Sequence, residues 1–171
     1  MKLVEPNIDY KNSFLEYVEE VTKTGYESGR YYKKAQENFE EFILDLHNFA
    51  KGINIEEDWC SYNTYWLVDD EKSFLGAFRI RHNLHTDFLK RIGHIGYEIN
   101  SKYRKKGYGT KILELGLVEA KKLGLKEVLL TCDEDNIASK KIIEKAKGIY
   151  LKTFFDQDYK KNRIQYKILL N

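Results

Sequence analysis

The 171-residue chain predicts a mixed α/β fold in which helices cover one central sheet. Three observations carry this reading. Phe39, Phe42, Ile43, Leu46 and Phe49 recur at helical spacing. Two apolar-rich runs, 64–68 and 74–81, flank the charged turn 69–73, as in a β-hairpin. A turn with two glycines, Arg104 to Thr110, joins an expected strand over 92–99 to an expected helix over 110–123. With 42% apolar and 33% charged residues the chain is globular, and its length suits one domain, 1–171, with its own core.

In chain order, Lys2–Val4 reads as a short first strand. Tyr10, Phe14, Tyr17, Val18 and Val21 share one helical face, with Asn7 or Asp9 as the cap and Thr24 and Gly25 as the end. The 39–49 stripe has Glu37, Glu40, Glu41 and Asp45 off it, so it should pack on the sheet, and Gly52 closes it. Residues 53–62 read as a loop. In the second hairpin strand Phe78 and Ile80 alternate with Arg79 and Arg81, which makes one face apolar and the other cationic. His82–Asp87 reads as a loop. The helix over 110–123 should bury Ile112, Leu113, Leu115, Leu117, Val118 and Ala120 before Gly124 ends it. The continuous apolar run 128–132 suits a strand covered on both faces. A helix from Asn136 to about Lys147 would bury Ile137, Ala138, Ile142, Ile143 and Ala146. The last strands are 149–151 and 164–170, around a polar turn at 156–162.

The turn at 104–110 has the chemistry of a pyrophosphate site. Glycine lets the backbone approach a ligand closely, and the first amides of a helix are unpaired donors reinforced by the helix dipole. Arg104, Lys105 and Lys106 add positive charge. A dinucleotide fingerprint would need a third glycine at Ile112, and the triphosphatase loop pattern is absent. What remains is Arg104-x-x-Gly107-x-Gly109.

That pattern, with its flanking strand and the helix–strand–helix after it, resembles the GNAT N-acetyltransferase superfamily, best from Thr64 to Gly148. Phe78–His82, Gly93–Tyr97 and Leu130–Asn136 further resemble a bacterial subgroup near the ribosomal-protein N-terminal acetyltransferases. The resemblance implies a mostly antiparallel sheet flanked by about four helices, with two central strands splayed to admit acetyl-CoA. It implies that Tyr97, Glu98 and Ile99 meet the pantetheine arm. Arg104, Lys105, Lys106, Gly107, Tyr108, Gly109 and Thr110 would hold the pyrophosphate. Asn136 would touch the pantetheine, with Ser139 one turn on; a plain helix cap at Asn136 is the alternative reading.

The implied reaction moves acetyl from acetyl-CoA to the amine of a small molecule or peptide. An ammonium cannot attack, so a base is needed. His94 is one candidate, on a strand face it shares with Gly96 and Glu98; Glu98 is the other. Arg79 and Arg81 suit an acceptor carboxylate or a peptide backbone. The tyrosine that often serves as general acid in the family is Ile143 here, and Tyr150 is a poor substitute. A GNAT-fold acyl-CoA sensor without turnover is the rival reading.

A net charge of +2 argues against nucleic acid. No metal site is expected. The N-terminus has no apolar signal core, no apolar stretch is long enough for a membrane, and Cys60 and Cys132 form no disulfide pattern, so a reducing cytoplasm is expected. The terminal strands are where two chains would pair in a homodimer.

Overall fold

The computed structural model describes residues 1–23 and 27–170, and of residues 27–31 the backbone alone. The expected helix end at Thr24 and Gly25 lies outside the described residues. The elements run β1 (Lys2–Val4), α1 (Lys11–Lys23), α2 (Glu27–Glu37), α3 (Phe39–Ala50), β2 (Tyr62–Val68), β3 (Phe74–Arg81), α4 (Asp87–Ile92), β4 (Ile95–Ile99), α5 (Tyr108–Lys122), β5 (Glu127–Asp133), α6 (Ile137–Lys145), β6 (Ile149–Asp156) and β7 (Lys161–Leu169). Seven strands form one sheet in the order β1-β2-β3-β4-β5-β7-β6. Every neighbouring pair is antiparallel except β4 and β5.

Each sheet face has its own core. On one face α1, α2 and α3 bring Phe14, Tyr17, Tyr32, Phe39, Phe42 and Leu46 against Trp66, Phe74 and Ala77. Phe14 stacks on Trp66 at 4.4 Å and on Phe42 at 5.6 Å between ring centroids. On the other face α5 and α6 press Ile112, Leu113, Ala120 and Ile143 onto Leu67, Phe78, Ile80 and Leu130. A Cβ at Gly116 would come within 2.1 Å of the Phe78 ring, so only glycine lets α5 lie this close to the sheet. Because Phe42 fills the first core, Phe42→Ala should cost about 3–5 kcal/mol in a denaturant titration; an unchanged midpoint would mean that the aromatic cluster contributes little.

Six α-helices stand among the described residues, where about four were expected. Apart from Tyr31, Tyr32 and Ala35, the 27–37 segment is polar or glycine, too little for a helical period to show. The 82–87 loop runs only to Thr86, which caps α4 by accepting the Leu89 amide at 3.1 Å. α4 takes the first residue of the expected strand, and Gly93, at φ +79, makes the turn into β4. Val118 and Ile137 are exposed, on the outer sides of α5 and α6. In β5 only alternate residues, Val128, Leu130 and Cys132, are fully buried, because the cleft described below leaves its other face half covered. The last two strands are longer than expected and leave a turn of only four residues, 157–160.

Candidate active site

β4 and β5 are in register at a single pair, Ile95 and Leu130, and then part. The Arg81 amide donates to the His94 carbonyl, and the Asn100 amide to the Leu75 carbonyl. These bonds assign the even-numbered backbone groups of β4 to β3 and turn those of Tyr97 and Ile99 toward the gap. A cleft of about 670 Å³ occupies the gap and is lined by residues from both sheet faces.

On the α1–α3 face Glu98 is the centre. Its Oε2 accepts from the Tyr17 hydroxyl at 2.8 Å, and its Oε1 accepts from the Tyr32 hydroxyl and from Arg79 Nη2, the latter at 3.2 Å. Arg79 also donates to the Tyr32 hydroxyl and lies over its ring. Burial, eased by Arg79, holds the Tyr32 phenol far above its usual range, so it stays a neutral donor. Arg81 lies over the Trp59 ring and donates to the Gly93 carbonyl at 3.0 Å. Burial, reinforced by Arg79, lowers its pKa to about 10.

On the α5–α6 face the cleft is lined by Tyr97, Cys132, Asn136, Ser139 and Ile143. Burial pushes the Tyr97 phenol up to about 12 and the Cys132 thiol up to about 11, so both stay protonated near neutrality. Asn136 caps α6, its side chain accepting the Ser139 amide at 3.0 Å. Ile143 is buried. Tyr150 projects from β6, exposed, against Thr153.

The 104–110 turn lies at the C-terminal end of β4. Lys105 and Gly107 are both left-handed, at φ +61 and +82, and α5 begins at Tyr108 with no side-chain cap. The Lys111 amide bonds to the Gly107 carbonyl, so the amides of 108–110 precede the helical ladder and have no acceptor within it. Arg104 is turned back, donating from Nε to the Ile99 carbonyl at 3.0 Å. A Cβ on Gly109 would meet the tip of Ile142 at 2.6 Å, so this glycine serves the α5–α6 packing.

His94 sits differently from the expectation. It precedes β4, and its Nδ1 accepts the Leu129 amide at 3.0 Å, while its own amide donates to the Leu129 carbonyl. It is absent from the cleft lining, unlike Glu98. An imidazole whose free lone pair holds an amide cannot also take a proton from an amine, so the geometry speaks against His94 as the base. Burial lowers its pKa below 6.5, with Glu127 opposing and Arg81 assisting. The unfolded chain therefore binds more protons below about 6.5, and stability present above that pH is lost on acidification. His82, also lowered by burial, acts the same way. Melting temperature should fall between roughly pH 7 and pH 5, and less steeply in His94→Gln, whose amide oxygen can still accept from Leu129. An identical slope would remove His94 from this linkage.

Tyr17, Tyr32, Trp59 and Tyr62 complete the site beyond the residues expected from the sequence. Tyr17 was legible only as a core position, and Trp59 only as a loop residue.

A splayed strand pair, an uncapped basic helix start and a carboxylate in the cleft define an acyl-CoA-dependent transferase. The model of the acetyltransferase (GNAT) domain matches residues 5–148, and the chain belongs to this family of N-acetyltransferases, which use acetyl-CoA. No curated protein matches the sequence significantly. Among solved structures, RimL, a ribosomal L7/L12 α-N-protein acetyltransferase in complex with coenzyme A, is 11% identical with a TM-score of 0.72, over 98% of this chain and 93% of that one. The microcin C7 self-immunity acetyltransferase MccE, in complex with acetyl-CoA and AMP, is 12% identical with a TM-score of 0.73, over 98% and 91%. The Salmonella typhimurium acetyltransferase that modifies the N-terminal serine of L7/L12 is 12% identical with a TM-score of 0.69, over 99% and 94%. Among the described residues no helix is long and apolar enough to cross a membrane.

Proposed function

We propose that residues 1–171 act as one catalytic domain that acetylates a primary amine of a small molecule or peptide, with Glu98 as the base. The observation that carries this is the Glu98 carboxylate in the cleft, held by two tyrosines and an arginine beside the opened strand, whereas the cleft's other acid, Asp133, is paired with Lys161 and Arg163. Acetyl-CoA supplies the activated thioester. The amides of 108–110, with Lys105, Lys106 and the glycines around them, would hold its pyrophosphate, and the backbone of Tyr97 and Ile99 its pantetheine. Arg104 supports the strand end, and Asn136 and Ser139 border the arm. Glu98 takes the ammonium proton directly or through a water, and the amine attacks. The Tyr97 N–H, turned to the gap, steadies the growing oxyanion. Ile143 has no proton to give, so the leaving thiolate takes one from water.

The missing acid also favours a second reading, an acyl-CoA sensor. A screen of amines read by free thiol release separates the two. Amine-dependent release supports the enzyme, whereas acetyl-CoA binding without release for any amine supports the sensor. Free Cys60 and Cys132 support a reducing, cytoplasmic setting. The exposed Ile149, Tyr150, Leu151 and Phe155 on edge strand β6 support pairing of two chains there.

A further inference from the structure

Four cations line the cleft: Arg79, Arg81, Lys161 and Arg163. Arg79 pairs with Glu98 at 3.2 Å, Lys161 with Asp133 at 3.1 Å, and Arg163 with Asp133 at 3.4 Å and Asp156 at 3.5 Å. Arg81 makes no ion pair among the described residues. The one hydrogen bond of its side chain there is to the neutral Gly93 carbonyl, and its guanidinium lies over Trp59, 5.5 Å from the ring centroid. A guanidinium removed from water with no anion beside it is costly, and its remaining N–H groups form a planar fork suited to a carboxylate or phosphate.

The coenzyme cannot supply that anion through its pyrophosphate. Arg81 stands opposite His94, before β4 begins, whereas the 104–110 turn follows the strand's other end. Four residue steps along β4 span about 13 Å. Arg81 is instead at the acceptor end. A Cβ on Gly96 would lie 4.0 Å from Arg81 Nη1, and Gly96 adjoins Tyr97, where the gap opens. Gly96 and Glu98 are two residues apart on one strand face, about 7 Å. An amine at Glu98 and an anion at Arg81 are therefore separated by only a few bonds.

The geometry points to an acceptor that is a small amine carrying its own carboxylate or phosphate, held by Arg81 while Glu98 takes the proton. This rests on the acetyl-transfer reading and narrows it. A peptide N-terminus offers Arg81 only a neutral carbonyl, and a polyamine adds positive charge to a site that already holds an unpaired cation. The step balances simply. The ammonium loses one proton to Glu98 and the amine attacks; as the new N–acetyl bond replaces the thioester bond, the nitrogen sheds its second proton, which passes through water to the leaving thiolate.

The test uses matched acceptors with the full chain: free amino acids, O-phosphorylated amino alcohols, the same amino acids as carboxamides, N-terminal dipeptide amides, and spermidine. Thiol release gives kcat and KM, and thermal shift with the same compounds in the presence of coenzyme A gives binding without turnover. Carboxylates or phosphates should exceed the carboxamides in kcat/KM by roughly ten- to hundredfold, chiefly through KM. The comparison of the two acidic sets identifies which anion is preferred. Arg81→Met should bring acids and amides to similar values, and Arg81→Lys should restore part of the difference. An acetyl-CoA thermal shift equal to wild type shows that the variants are folded. Equal values for acids and amides in wild type, better use of the dipeptide amides or spermidine, or a preference that survives Arg81→Met would overturn the proposal. If no amine releases thiol, the transfer reading fails. The thermal shifts then still decide: stabilisation by acids over amides, lost in Arg81→Met, supports the anion site, and its absence overturns it.

Discussion

Glu98→Gln is expected to lower kcat by about 10²–10⁴, the usual contribution of a positioned general base, while leaving acetyl-CoA affinity close to wild type. The substitution keeps the side chain's size and one oxygen, which can still accept from one of the two tyrosine hydroxyls, while the other hydroxyl can turn to accept from the new amide NH2. It removes the charge and the basic lone pairs. Arg79 loses its partner but stays stacked on the Tyr32 ring, with its hydrogen bond to the Tyr32 hydroxyl. The fold around the cleft should therefore survive, which circular dichroism and the acetyl-CoA thermal shift will show. Tyr32→Phe, which removes one donor, should lower kcat by less than Glu98→Gln. If Glu98→Gln changes only stability, Glu98 is a structural anchor for α1 and α2, and the base must be sought elsewhere in the cleft.

The sequence made the scaffold legible where one side chain pattern implied one environment. The Phe39–Phe49 stripe and the alternation of Phe78 and Ile80 with Arg79 and Arg81 each fix a face, and both faces are where the pattern puts them. The uncapped helix start at the 104–110 turn was legible because a left-handed glycine at Gly107 and the absence of a capping side chain are local properties. The base was not. His94 and Glu98 lie on one strand pattern, and alternation cannot show that a single residue before β4 is spent on the Leu129 amide. Nor can it show that Glu98 receives hydroxyls from 81 and 66 residues away. Helix α2 hid for a related reason. Its worth lies in carrying Tyr32 to Glu98, a long-range contact, and not in a stripe of its own. Arg81 was visible as a cation, but its lack of an acidic partner among the described residues is a fact of three dimensions.

The second large effect is expected at the 104–110 turn, where Gly107→Asp should weaken acetyl-CoA by about 10²–10³-fold. Gly107 is the better target than Gly109, because a Cβ there meets nothing within 4 Å, whereas one on Gly109 would strike Ile142. At φ +82 most side chains are strained, but Asp and Asn tolerate the left-handed region best. Asp thus puts a carboxylate beside the free amides of α5 with little damage to the fold. At about 4 Å and an effective dielectric near 20, two like unit charges repel by ~4 kcal/mol, and each ~1.4 kcal/mol is tenfold in affinity. Screening by exposed Lys105 and Lys106 reduces this toward the stated range. Gly107→Asn has the same shape without the charge and should bind far better than Gly107→Asp. The measurements are calorimetric titration and thermal shift. Acetyl-CoA at a hundredfold excess over its Kd should stabilise the wild type by ~2.7 kcal/mol, since it binds only the folded state. NAD and ATP should do much less, because the gap between β4 and β5 offers them no arm-shaped contact. If wild type ignores coenzyme A and acetyl-CoA alike, or Gly107→Asp binds them as tightly as Gly107→Asn, the pyrophosphate does not sit on these amides.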